Sequence, residues 1–368
     1  MRTRSPYFIY RTLTNLTSAN LDLYIYTGAQ VGTMASITYS LTSTAYNDEV
    51  TWEIAELVRD YLDVTFDGNY TSQAVFVNYQ ITDYVSGVAQ TPLSIVQLTA
   101  YDGYGYFEDG ANPTTTGALM QSNTTVYKLD DAPLRIPVNA DTATTVKYYL
   151  QGEEIYSKSI SASTNTTSLI NYVSSEADGV DNYQGRVIAD GGTYEDSPCI
   201  QAFIRNNVIY GVDAVKITEG SNTTTLNVKD ITECKYQPYK VTFVNKFGAL
   251  QDLWFFKANK QSLRTTKHNY KSNLVTAGSY SISAHQNRIL DKQGKESITL
   301  NTGFYTEDYN EVFRQLELSE KVWIEMDGVT LPIEVSNPSL RFKTTLNDKL
   351  ISYTIDCEFA YDKINSVR

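Results

Sequence analysis

From Ser5 to Tyr101 the chain breaks into short runs in which apolar and polar residues alternate, each closed by Gly, Asn, Asp or Pro. SPYFIYRT, ANLDLYIYTG, MASITYSLT, SQAVFVNYQIT and LSIVQLTAY each last about 5–8 residues, the rhythm of strands in a sandwich or barrel. Alternation sends every second side chain to one face, so each run can bury one face and wet the other. The 29 Tyr and the Thr- and Ser-rich stretches fit the same surface, because these residues suit a pleated, half-buried sheet. One segment departs from the pattern. In NDEVTWEIAELVRDYLDV, the residues Ile54, Leu57, Val58, Tyr61 and Leu62 share one face at helical spacing, with Asp48, Glu49 and Glu53 near the start, which predicts a short amphipathic helix between strands. The stretch AYDGYGYFEDGANPTTTG is dense in Gly, Asp and Pro and reads as a long loop.

The expected fold class is therefore mainly β: several sandwich- or barrel-like modules with a few short helices. Three parts are expected, at 1–125, 126–234 and 235–368. The first is sandwich-like with one helix. The second alternates again through TTVKYYLQGEEIYSKSIS and CIQAFIRNNVIYGVDAVKIT, with a hairpin turning at Gly152, and suggests a small immunoglobulin- or fibronectin-like sandwich.

The third part opens on VTFVNKFGALQDLWFF, five aromatic side chains around one Asn-Lys-Phe-Gly turn. Alternation lets Val241 and Phe243 share a face, but Leu253, Trp254, Phe255 and Phe256 are consecutive and exceed what one face can hide. Some of them must meet another element or another subunit. Phe243, Phe247, Leu253, Trp254, Phe255, Phe256 and Trp323 are accordingly the candidates for a surface that serves both folding and assembly. Next come a Lys- and Asn-rich stretch KANKQSLRTTKHNYKSN, a strand GSYSISAH and a polar linker QNRILDKQGKES. A C-terminal helix is expected after Thr306 as its cap, with Tyr309, Val312, Phe313, Leu316 and Leu318 on its apolar face. Hairpins are expected at Asp327-Gly328 and Asn347-Asp348.

Charge is unevenly spread. Residues 1–234 hold 12 Lys and Arg against 27 Asp and Glu, and residues 235–368 hold 18 against 15, so a front net of −15 meets a back net of +3. An acidic front half argues against a general nucleic-acid binder, which needs a basic footprint to displace counterions. No basic segment followed by an apolar run stands near the N-terminus, and no stretch approaches the roughly 18–20 apolar residues that span a bilayer. Cys199, Cys234 and Cys357 are odd in number and far apart, which favours small buried hydrophobes in a reducing cytoplasm over disulfides or zinc ligands.

Catalytic chemistry is thinly represented. His268 and His285 have no evident ligand partners, and no nucleophile elbow, phosphate loop or dinucleotide fingerprint occurs. Glu153-Glu154, Asp130-Asp131 and Glu195-Asp196 are adjacent pairs, which on a strand point to opposite faces. No enzyme activity, cofactor or metal is expected. Tyr101, Tyr104 and Tyr106, together with Tyr194, could stack on sugar rings through their flat apolar faces. A carbohydrate- or receptor-binding β-protein is the alternative reading, and a glycan is its partner.

The runs CKYQPYKVTFVNKFGALQDLWFFKANKQS and YTEDYNEVFRQLELSEKVWIEMDGVTLPIEVSNPSLRFKTTLNDKLISYTIDCEFAYDKIN resemble virion structural proteins of tailed bacteriophages. The resemblance is to tail-region proteins of phages infecting Bacteroidetes, crAss-like phages among them. RSPYFIY, LDLYIYTG and WEIAELVRDYLDV look like the front of the same proteins. The C-terminal plan of hairpin, helix and paired strands is similar to that of distal-tail and tail-tube proteins. Two further β-blocks in front exceed a minimal tube subunit, which leaves a baseplate hub, a portal-to-tail ring or another adaptor open. The resemblance implies a non-enzymatic virion protein of the tail or neck, folded in the bacterial cytoplasm. Its partners would be copies of itself in a ring and neighbouring tail or neck proteins. An acidic lumen would let DNA pass without specific binding.

Overall fold

The computed structural model describes residues 1–28, 31–114, 117–129, 132–139, 143–160, 170–174, 184–187, 200–205, 208–209, 211–233, 235–336 and 350–364. Strand accounts for 53% of it and helix for 6%, so the chain is mainly β, with several sheets.

The front sheet is ordered Tyr39–Thr44, Leu16–Tyr26, Val75–Val85, Val88–Ala89, with Val96–Ala100 also paired to Val75–Val85. Leu16–Tyr26 shows why it forms: Leu21, Leu23 and Ile25 alternate inward into the front core. A two-stranded ribbon, Phe8–Thr12 with Glu49–Glu53, adds Ile9, Val50 and Trp52 to that core. The helix predicted across residues 48–62 is divided by this ribbon. Glu49–Glu53 takes a full antiparallel register with Phe8–Thr12, and only Ala55–Arg59 is helical. Val50 and Trp52 suit a strand as well as Ile54 and Val58 suit a helix, and the ladder partner decides between them. Tyr61, expected on the buried face, is exposed.

The middle sheet is ordered Glu153–Ile160, Thr144–Leu150, Ala214–Glu219, Asn222–Ile231, Thr125–Leu129, and the last pair is parallel. It faces the pair Arg135–Asn139 and Ile170–Ser174. Ile136, Val138, Val146, Tyr148, Val173 and Val215 fill the space between, a sandwich-like arrangement. Gln151 and Gly152 both have positive φ, 52° and 89°, and form the hairpin turn whose twist matches its strands.

The third sheet has seven antiparallel strands: Leu250–Phe255, Tyr239–Val244, Val322–Met326, Val329–Val335, Thr354–Phe359, Asn287–Asn301 and Lys260–Lys271. The helix Asn310–Glu317 buries Val312, Phe313 and Leu316 against it. Two expectations about this helix need correction. Thr306 makes no side-chain cap; it precedes a single 3-10 turn at Glu307–Tyr309, and the α-helix begins after Tyr309. Leu318 lies beyond the last turn and is 46% exposed. Asp327-Gly328 turns the hairpin as expected, while Asn347-Asp348 lies outside the described residues.

Candidate functional site

The aromatic hairpin lies where the three sheets meet. Asn245, fully buried, shapes its turn. Its amide nitrogen donates to the Met120 carbonyl at 2.7 Å and to Gln251 Oε1 at 3.0 Å, while its Oδ1 accepts from the Phe247 and Ala249 amides at 3.0 and 3.1 Å. A buried amide with donors and acceptors all used fixes one conformation, because any other would strand polar atoms in apolar surroundings. Gly248 has φ +81°, and a Cβ there would stand 2.6 Å from the Tyr101 Cβ. A Cβ on Gly103 would stand 2.7 Å from the Lys246 carbonyl oxygen. Two glycines thus let the loop from Tyr101 and the hairpin turn cross at backbone contact, and the Tyr104 amide donates to the Lys246 carbonyl at 2.9 Å.

Around the hairpin each part of the chain contributes. From the front, Val64 and Phe66 pack on Val244, Leu250 and Trp323, with the Phe66 and Trp323 rings edge to face at 5.6 Å. The Tyr70 hydroxyl donates to the Asp252 carboxylate at 2.6 Å, which also accepts from Thr242 at 2.7 Å. From the middle, the Tyr172 hydroxyl accepts from the Leu250 amide at 2.9 Å, and Tyr127 packs against Tyr305 and Tyr309. Tyr305 donates to the Trp254 carbonyl at 2.6 Å.

The assembly candidates named from sequence are therefore occupied within the chain. Phe243, Leu253, Phe255, Phe256 and Trp323 are buried, and Trp254 and Phe247 are half-buried. Phe247 lies under the Arg2 guanidinium, 5.0 Å from the ring centre. Leu253 to Phe256 are taken up by the C-terminal core together with Tyr127, Leu129 and Ile231 of the middle part, while the front part covers Val244, Leu250 and Trp323. The tyrosines considered for sugar stacking are brought together, but Tyr101 and Tyr104 are buried. Arg4 covers the Tyr104 ring at 4.8 Å, and Tyr106 donates to Glu311 at 2.8 Å. Among the described aromatic residues of that loop, Phe107 stands free in solvent, 98% exposed. Tyr194 lies outside the described residues.

Burial displaces several of these hydroxyls from their usual ionisation. Desolvation pushes Tyr104 up to about 12 and raises Tyr70, Tyr172, Tyr305 and Tyr309. A raised folded value means the buried neutral form stabilises the fold fully below the unfolded tyrosine value of about 10. That stability is lost as pH rises from there through the folded values. Tyrosinate absorbance at 295 nm should therefore show an exposed fraction ionising near pH 10 and a buried fraction ionising only together with loss of far-UV circular dichroism. A single smooth transition at pH 10 with the dichroism intact would contradict it. Cys357 behaves as the small hydrophobe expected, buried, its thiol pushed up to about 12 by desolvation, while Cys199 and Cys234 lie outside the described residues.

Beyond the hub, Lys260–Lys271 and Asn287–Asn301 form one long hairpin. From Lys260 to Lys271 and from Asn287 to Lys292 every residue is exposed, on both faces. The register with Thr354–Phe359 ends at Ser297, Lys363 and Ile364 still hydrogen-bond Gly294 and Gln293, and beyond Gln293 the two strands have, among the described residues, only each other. This arm differs from the pattern expected of its sequence. Its polar linker is strand, and its supposed strand GSYSISAH is the hairpin's tip, where Thr276 and Ser279 bridge. An arm wet on both faces has no apolar stripe, so periodicity carries no trace of it; only the Thr, Tyr and Ile content on either side of the tip hints at strand. His268 and His285 both lie on the arm, and His268 stands opposite Asp291.

Among the described residues no group of three or more His, Cys, Asp or Glu is placed to hold a metal ion, and no helix is long and apolar enough to cross a membrane. No family model matches the chain, and no curated protein matches it in sequence.

Proposed function

We propose that the chain is a structural, non-catalytic subunit of a tailed-bacteriophage virion, sited in the tail or neck, which joins copies of itself into a ring and links neighbouring virion parts. The virion setting rests on the resemblance of the C-terminal run. The assembly role rests on one observation: the outer part of the arm, residues 260–271 and 287–292, is exposed on both faces and carries Leu263, Ile289 and Leu290 into solvent. Isolated two-stranded hairpins are marginally stable in water, so an arm of this kind is an element that finishes folding against a partner. The hub complements it. Three β parts, at 1–125, 126–234 and 235–368 in this reading, are tied through one hairpin, giving a body against which an arm can hold a neighbour in register. Rings need surfaces that close under cyclic symmetry rather than an active site.

Light scattering of the purified protein at several concentrations and salt levels tests this. A discrete multiple of the 41.3 kDa chain is expected, with rings visible by negative-stain imaging. A monomer at every concentration would overturn self-assembly.

A further inference from the structure

The register of the arm sets like charges against each other. Arg264 stands directly opposite Lys295, and Lys267 directly opposite Lys292. Positions 264 and 267 are three apart, so one cationic pair lies on each face of the ribbon. Directly opposed like charges destabilise a strand pair, and a free hairpin has little stability to spare. At the base, Lys295 is relieved by Glu358 at 3.1 Å. Lys267 and Lys292, further out, make no ion pair among the described residues. Residues 260–296 hold seven Lys and Arg against two Asp and Glu, a net of +5, which leaves −17 for the rest of a chain whose net is −12.

The apolar residues of the arm say what kind of partner answers this charge. The register slips between His268 and Asn269, so Leu290 is an extra residue without a cross-strand partner. The bulge leaves it 73% exposed beside Ile289 at 53%. Ile282, at the tip, is 97% exposed. Aliphatic side chains gain by burial against protein and gain nothing on a phosphate backbone. A protein surface that is acidic overall fits both features, and the remainder of this same chain is such a surface.

Resting on the self-assembly reading, we infer that the arm docks on the acidic body of a second copy of this chain, with Leu290 and Ile289 buried at the contact and Lys267 and Lys292 met by the neighbour's carboxylates. The nine residues Leu263 to Lys271 span about 30 Å at about 3.4 Å per residue, enough to cross onto an adjacent subunit. Arm and receiving surface differ, so the contact is heterologous: each copy gives one arm and receives one, which builds a ring where the rotation between neighbours closes. Attraction of this kind weakens as salt rises, since screening shortens from about 10 Å at 0.1 M to about 3 Å at 1 M.

The test places a photo-crosslinking phenylalanine analogue at Leu290 of the full chain, mixed with isotope-labelled wild type. Cross-links between labelled and unlabelled chains are expected. Lys267→Glu/Lys292→Glu, or 1 M salt, should reduce them about tenfold or more. The thermal melt should stay unchanged, because Lys267 and Lys292 are exposed and belong to none of the cores. A defined oligomer without Leu290 cross-links, or with cross-linking undiminished by the charge reversal, overturns the arm's role and leaves self-assembly standing. A monomer without cross-links sinks both. Retardation of duplex DNA that depends on Lys267 and Lys292, without chain-to-chain cross-links, would replace the second copy by nucleic acid.

Discussion

Replacing Phe243 with alanine should lower stability by about 3–5 kcal/mol, the range for emptying a large buried aromatic position. Phe243 has no exposed surface and shares the C-terminal core with Val312, Phe313 and Leu316 of the helix that covers the sheet. Its strand also pairs on both sides, with Leu250–Phe255 and with Val322–Met326, so the surroundings are held too firmly to collapse into the void. Urea denaturation followed by far-UV circular dichroism measures the effect as a fall in midpoint. Phe243→Leu should lose far less, because most of the volume is kept. A loss under about 1 kcal/mol for the alanine variant, well below the usual range for such sites, would mean that the hairpin is not core. The residues named from sequence as an assembly surface would then be open to that role again.

Arg11→Met should cost about 3 kcal/mol, and a second substitution should return part of it. Asp83 is buried at the front core, and Arg11 bonds both its carboxylate oxygens, with contacts of 2.7–3.1 Å. Removing the guanidinium strands a charge in apolar surroundings, which is worse than never having had the pair. The figure sits at the low end of the range for breaking buried pairs because the Arg11 side chain is 28% exposed and water can reach that side. Arg11→Met/Asp83→Leu removes both charges and should be more stable than Arg11→Met alone by about 1 kcal/mol or more. Trp52 fluorescence, read in a Trp254→Phe/Trp323→Phe background, follows the front core. A double variant no better than the single would show that Asp83 finds another partner.

Much of the fold was legible in the chain because strand alternation is local. Leu21, Leu23 and Ile25 announce one buried face without any knowledge of what covers it, and Gly152 and Gly328 announce their turns through the positive φ that those turns require. The helix at residues 48–62 was half misread because Val50, Trp52, Ile54 and Val58 satisfy two periodicities. Only Phe8–Thr12, some forty residues earlier in the chain, could choose the strand for the first two. The hub shows the same limit more sharply. Leu253 to Phe256 were evidently too apolar for one face, but whether a neighbouring subunit or the chain's own parts would cover this hairpin and its sheet depends on contacts such as Tyr127 with Tyr305 and Phe66 with Trp323, across more than 170 residues. The arm was invisible for the opposite reason: its outer part has no buried face, and periodicity reports burial. Local residue chemistry therefore dictated which segments are strands and where they turn. Long-range packing alone decided which apolar face is spent inside the chain and which strand pair is left outside, because burial belongs to pairs of distant segments and to neither one separately.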